Sequence, residues 1–207
     1  YLPGIWGDNL ELRRMKKRFK FSGKATVFML VMLLFGVLAG FVIVGKYTEL
    51  TFGQYGKALL VSLKTSWYTL MIGAVATEAG FRGFLQTHFE KTYSVLGSSL
   101  MVGILYSIWK TVIVFISDNP TLLCLALLAA QFIEISVVLG YIMKWSRKSL
   151  YPVIVFHFSW NLMAQTMNFQ NRIEFLVYSD LFLLILCVLI IAMYQIKRRS
   201  VKTKSVA

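Results

Sequence analysis

The sequence predicts an all-α fold, a polytopic transmembrane helix bundle, and three observations carry that prediction. Of 207 residues, 57% are hydrophobic and only 15% are charged, whereas a soluble domain has about 45–50% apolar and about 25% charged residues. The apolar residues, which raise the mean hydropathy to +0.67, gather in runs of the length that crosses a bilayer core of about 30 Å at about 1.5 Å per residue. The basic residues fall between these runs and sort by side. A soluble domain is excluded by the first two observations. The net charge of +13 is accounted for by the third before any nucleic acid is invoked.

Six spans are expected, near residues 25–45, 57–79, 96–117, 121–143, 150–168 and 174–195. Residues 1–24 read as a basic interfacial segment on the cytoplasmic side, 25–195 as the transmembrane bundle, and 196–207 as a basic cytoplasmic tail. Asp118-Asn119-Pro120 marks a tight turn between the third and fourth spans. The stretch Phe81–Lys91 reads as an interfacial continuation of the second span, with Arg82, His88, Glu90 and Lys91. Tyr rather than Met at position 1 predicts an N-terminus that is processed or incomplete. Cys124 and Cys187 both fall inside apolar runs, and with no CxxC or Cys/His cluster they predict neither a disulfide framework nor a zinc ribbon.

One side of the bundle holds Arg13, Arg14, Lys16, Lys17, Arg18, Lys20, Lys24, Arg82, Lys91, Lys144, Arg147, Lys148, Lys197, Arg198, Arg199, Lys202 and Lys204, which is 17 of the 22 lysines and arginines. The other side holds Lys46, Lys57 and Arg172. By the positive-inside rule both ends of this chain are cytoplasmic, in a multi-pass protein of the cell membrane. The basic ends suit anionic lipid headgroups of the bilayer. They lack the interleaved aromatics of a nucleic-acid surface, so no nucleic-acid partner is expected.

Polar groups inside a span cost a few kcal/mol each on insertion scales, so they advertise function. Here they are Lys64, Thr77, Glu78, Lys110, Glu134, His157, Asn161 and Asp180, the last read as interfacial. Glu78 with Arg82, Tyr106 with Lys110, and His157 with Asn161 are spaced by four, which puts each pair on one helix face. Glu78 and Arg82 suit an ion pair, His157 and Asn161 suit interhelical hydrogen bonds, and Glu134 suits an acceptor for His157 or Lys110.

At these positions the chain resembles the CPBP family of intramembrane proteases, which includes the CAAX-processing and Abi proteins. Its first motif, Glu-Glu-x-x-x-Arg, corresponds to Thr77-Glu78-Ala79-Gly80-Phe81-Arg82. The second, Phe-x-x-x-His, corresponds to Tyr106-Ser107-Ile108-Trp109-Lys110, and the third, His-x-x-x-Asn, is matched by His157-Phe158-Ser159-Trp160-Asn161. The resemblance covers roughly residues 57–165, a CPBP-like core within the bundle. It implies that the first glutamate and the second-motif histidine activate water, directly or through a metal, and that the third-motif His and Asn stabilise an oxyanion. On that reading Glu78, Arg82, His157 and Asn161 are the remnant of a catalytic site.

The departures fall on the activating half, where the chain carries Thr77 and Lys110. A threonine hydroxyl is not basic at neutral pH, and a protonated lysine has no lone pair for a metal or a proton. Glu78 is rotated by about 100° from its neighbour's position on the helix. A degenerate member, acting as scaffold or regulator and needing neither metal nor cofactor, is therefore the leading expectation. The same departures resemble degenerate Abi-domain proteins of Gram-positive bacteria, which are associated with membrane-anchored cell-wall hydrolases and sensor kinases. That resemblance implies a membrane-protein partner with a transmembrane helix, for which Gly36-x-x-x-Gly40 is a candidate docking face. The alternatives are an active intramembrane endopeptidase, including one with a deprotonated Lys110 as base, and a transporter or lipid-binding protein using the polar cavity.

Overall fold

The computed structural model describes residues 51–118, 120–167 and 173–204, together with 17–19 and helical positions at 23, 26, 27, 30, 31, 33, 34 and 38. Most of the first expected span, Gly36 and Gly40 included, lies outside the described residues, as do Lys46, Asn119 and Arg172. Among the described residues the fold is all helical, as expected. The helices are α1 (Phe52–Glu78), a π-helical segment (Ala79–Gln86), the short α2 (Thr87–Phe89), α3 (Val95–Asp118), α4 (Leu122–Trp145), α5 (Tyr151–Met167) and α6 (Ile173–Lys204).

Each of the five spans expected after residue 50 is a helix, but the helices differ in how they meet a bilayer. Among the described residues, three are long and apolar enough to cross singly, at Val95–Ile116, Leu122–Trp145 and Ile173–Ile196. A fourth crossing exists if Gly53–Tyr68 and Leu70–Phe89, which meet at a 60° bend, act as one span. Near this bend Thr65 Oγ1 donates to the Val61 carbonyl at 3.0 Å. Such back-bonding competes with the backbone ladder and favours bending. The 17 residues of α5 extend about 26 Å, short of the roughly 20 residues that a single crossing takes. The lengths, apolarity and packing of these helices make the chain a multi-pass membrane protein.

Local sequence explains the helix ends. Thr51 and Gln54 form a capping box, Gln54 N donating to Thr51 Oγ1 at 3.4 Å and Thr51 N to Gln54 Oε1 at 2.8 Å. The two orphan amides at the start of α1 are thereby satisfied. Thr121 caps α4 by accepting from Cys124 N at 3.4 Å. Pro152 sits in the first turn of α5, where its missing N–H costs nothing. Between α4 and α5 the chain turns through Arg147 and Lys148, with φ of 56° and 67°. This left-handed region is rare for residues bearing a Cβ. At the other end, α6 continues as a helix through Lys204, well into the stretch read as a tail.

The chain forms two compact units, Tyr1–Ser94 with Ile142–Asn168, and Val95–Tyr141 with Phe169–Ala207. In the first, α1 packs on α5 and against the π-helical segment that follows it. In the second, small residues let α3 and α4 approach closely. A Cβ on Gly103 would lie 2.9 Å from Ser136 Cβ and 3.1 Å from Ile133 Cα. Ser136 Oγ donates to the Ser99 carbonyl at 2.7 Å and Ser107 Oγ to the Ala129 carbonyl at 3.2 Å. Ser99, Gly103 and Ser107 thus form a small-residue stripe of the kind that packs membrane helices. Val114, Cys124, Leu128 and Leu176 form this unit's apolar core, and Cys124 and Cys187 are free thiols.

Candidate functional site

The first unit contains a buried polar ladder, built from one face of the chain running out of α1. Glu78, the last residue of α1, and Arg82, inside the π-helical segment, are each only 1% exposed. Arg82 Nε lies 3.2 Å from Glu78 Oε2. From Arg82 the ladder continues outward. Its Nη1 donates to Gln86 Oε1 at 3.2 Å, and Gln86 Nε2 donates to Glu90 Oε1 at 3.2 Å. The repeat of four along Glu78, Arg82, Gln86 and Glu90 keeps all four on one face. Gln86 is fully buried and Glu90 only partly. A π-helical stretch is itself unusual and concentrates at functional sites.

The other oxygen of Glu78 is held from α5. His157 Nδ1, itself in a buried ring, is hydrogen-bonded to Glu78 Oε1. A carboxylate can only accept, so Nδ1 is the donor in this pair. The two oxygens of one buried carboxylate are therefore engaged by different elements, a guanidinium on the π-helical segment and an imidazole on α5. Asn161 lies one turn beyond His157 and is partly buried. Thr77 is buried beside Glu78 in sequence but, at about 100° around the helix, on a different face.

Three of the four expected site residues thus meet, Glu78, Arg82 and His157, with His157 Nδ1 held on Glu78 Oε1. Sequence spacing paired Glu78 with Arg82 and left Gln86 and Glu90 aside as interfacial. The same repeat of four, carried two steps further, would have found them. Lys64 is exposed.

The remaining polar positions lie in the second unit. Lys110 Nζ sits over the rings of Trp109 and Tyr106, at 5.2 and 5.9 Å from the centroids. Tyr106 is buried and meets Phe132 edge-on with centroids 5.4 Å apart. The aromatic faces hold the Lys110 side chain in a cation–π contact. Glu134 is partly buried, and among the described residues its Oε2 has no hydrogen-bond partner. Cys187 Sγ donates to the Glu134 carbonyl at 3.4 Å. Asp180, expected near the membrane interface, joins the contact between α4 and α6, accepting from Gln131 Nε2 at 3.3 Å.

A metal is one of the two routes the resemblance implies for activating water, and the donor set does not suit it. The two activating positions offer a threonine hydroxyl and an ammonium held over aromatic rings, which is not the His, Cys and carboxylate set that divalent metals take. Among the described residues no group of three or more His, Cys, Asp or Glu side chains is placed to hold a metal ion.

Comparison with known proteins agrees with the span of the ladder. The profile described as type II CAAX prenyl endopeptidase Rce1-like matches residues 59–163, which include Glu78, Arg82, His157 and Asn161. The CAAX prenyl protease 2 of Methanococcus maripaludis is 22% identical over 123 residues, which cover 56% of this chain and 45% of that protein. The chain thus spans less than half the length of that relative. With the match extending over half of the chain and over both helices that build the buried ladder, the protein belongs to the Rce1-like family of type II CAAX prenyl endopeptidases.

Proposed function

We propose that this chain is a catalytically degenerate member of its family, a membrane scaffold or regulator of a membrane-anchored partner. The observation that carries the reading is the double engagement of Glu78. Its Oε2 faces Arg82 and its Oε1 holds His157, so the one glutamate retained from the first motif is occupied in a structural contact. The positions that would activate water are Thr77 and Lys110, neither of which serves as a general base at neutral pH. Arg82, Gln86 and Glu90 extend the contact outward by hydrogen bonds.

On this reading the ladder locks α1 to α5, and the bundle presents a helix-lined surface to a partner with a transmembrane helix. A cell-wall (peptidoglycan) hydrolase is the partner type that the resemblance to degenerate Abi-domain proteins favours. Both ends of the chain lie on the cytoplasmic side, supported by the placement of 17 of its 22 lysines and arginines on one side of the spans. The second reading, an active intramembrane endopeptidase, is favoured by the family match alone.

The two separate by experiment. Tagged wild-type chain, Glu78→Gln and His157→Gln are expressed in native membranes and their co-purifying proteins quantified by mass spectrometry. The scaffold reading expects function to track retention of a stoichiometric membrane partner in all three. Loss of function with folding and partner retained would instead establish the peptidase.

A further inference from the structure

The N-terminal basic segment reaches the ladder through Arg18. Its Nη1 donates to the Gly83 carbonyl, 65 residues away in sequence, and to Thr87 Oγ1 at 3.2 Å. Gly83 directly follows Arg82 and Thr87 directly follows Gln86, so the guanidinium grips the strip of helix beside the ladder. Thr87 Oγ1 also donates to the Gly83 carbonyl, at 2.9 Å. The backbone of Arg18 meanwhile holds α5, since its carbonyl accepts from Leu150 N at 3.2 Å. Leu150 is the cap of α5, its own carbonyl taking the first helical bond from Ile154 N at 2.9 Å.

Two neighbouring contacts reinforce the same junction. Phe19 meets Tyr151 edge-on, with centroids 6.3 Å apart and planes at 86°. Gly83 lies directly against α5's start, where a Cβ on it would stand 3.4 Å from Leu150 Cδ1. One residue, covalently part of neither element, therefore binds the π-helical segment by its side chain and α5 by its backbone. Those two elements carry Arg82 and His157, with Glu78 at the start of the first.

We propose that Arg18 is a positioning residue that sets the register between the π-helical segment and α5, and thereby holds His157 Nδ1 on Glu78. The effect is geometric. A slide of α5 by a fraction of a turn, at about 5.4 Å per turn, would take His157 out of hydrogen-bonding range, which ends at about 3.5 Å. This role goes beyond the scaffold reading and applies equally to a catalytic cluster, so its failure and the failure of that reading are separately visible.

The test reads His157 directly. The chain has two histidines, so ¹⁵N-histidine labelling of the protein in lipid nanodiscs gives two ring systems, assigned with His88→Gln. Wild type should show a hydrogen-bonded Nδ1–H resonance for His157. Arg18→Ala should lose or shift that resonance, and Arg18→Lys should restore it in part, since lysine keeps a donor but not the planar fork. Lys17→Ala, at an exposed neighbour, should leave it unchanged. A folded Arg18→Ala protein with the wild-type His157 resonance overturns the proposal. Should Arg18→Ala not fold, Thr87→Val removes one of the two acceptors of Arg18, together with the hydroxyl's own bond to the Gly83 carbonyl. It should then shift the same resonance by less, and a wild-type resonance there overturns the proposal as well.

Discussion

Replacing Glu78 by alanine removes the carboxylate on which the buried ladder converges. Arg82, 1% exposed, keeps Gln86 Oε1 but loses the anion facing its Nε. Breaking a buried ion pair by deleting one partner costs about 3–5 kcal/mol, because the remaining charge stays desolvated. For a chain of this size about 1 kcal/mol moves the melting temperature by roughly 2–4 °C, so a fall of about 6–20 °C is expected. Removing both charges, as Glu78→Ala with Arg82→Met, should recover more than half of that loss, since no unpaired charge is then left buried. Full recovery is not expected. His157 would be left without its acceptor, at about 1–3 kcal/mol. Thermal unfolding in detergent, followed by loss of the monodisperse peak in size-exclusion chromatography, measures all three proteins. A Glu78→Ala protein melting within about 2 °C of wild type would refute the argument. So would a double variant as unstable as the single one.

Gly103→Ala sets about 1 kcal/mol of helix propensity against a Cβ placed 2.9 Å from Ser136 Cβ and 3.1 Å from Ile133 Cα. Overpacking costs about 1–3 kcal/mol and a backbone atom cannot rotate away, so the same melting assay should report net destabilisation. Lys110→Met keeps the stem's packing and forfeits cation–π contact worth about 0.5–2 kcal/mol. It should leave function in a complementation assay intact, whereas complete loss in a folded protein would point to Lys110 as a base. Gln86→Leu severs the link between Arg82 and Glu90 and should cost about 1–3 kcal/mol, read as a lower melting temperature. A chelator should change neither complex formation nor stability, and elemental analysis of the purified protein should find less than one metal per chain.

Much of the fold is visible in the residues themselves. The apolar runs of α3, α4 and α6 exceed what a soluble core helix needs, and Thr51-x-x-Gln54 and Pro152 mark helix starts by local chemistry alone. The 60° bend near Tyr68–Leu70 and the π-helical segment leave no comparable trace. An i, i+4 polar spacing fits an α-helix and a widened one equally well, so Glu78 and Arg82 pair in either. The site is legible in part for the same reason. Glu78–Arg82 is a short-range contact encoded by spacing, but His157 meets Glu78 across 79 residues, and which helices adjoin is set by tertiary packing. Sequence patterns offered Glu134 to His157 and gave Glu78 to Arg82. Arg18 was hidden more deeply, because in a run of seven basic residues nothing marks the one whose backbone and side chain both find partners.

The central claim, that the retained Glu78 serves a structural contact in a chain that scaffolds rather than cuts, is tested most directly on the partner's own covalent structure. The membrane partner identified by co-purification is expressed with and without this chain, and its intact mass is measured. The account predicts one unprocessed partner of the same mass in both, held in stoichiometric complex when the chain is present. A shortened partner that appears only with the chain, and disappears with Glu78→Gln or His157→Gln, would contradict it.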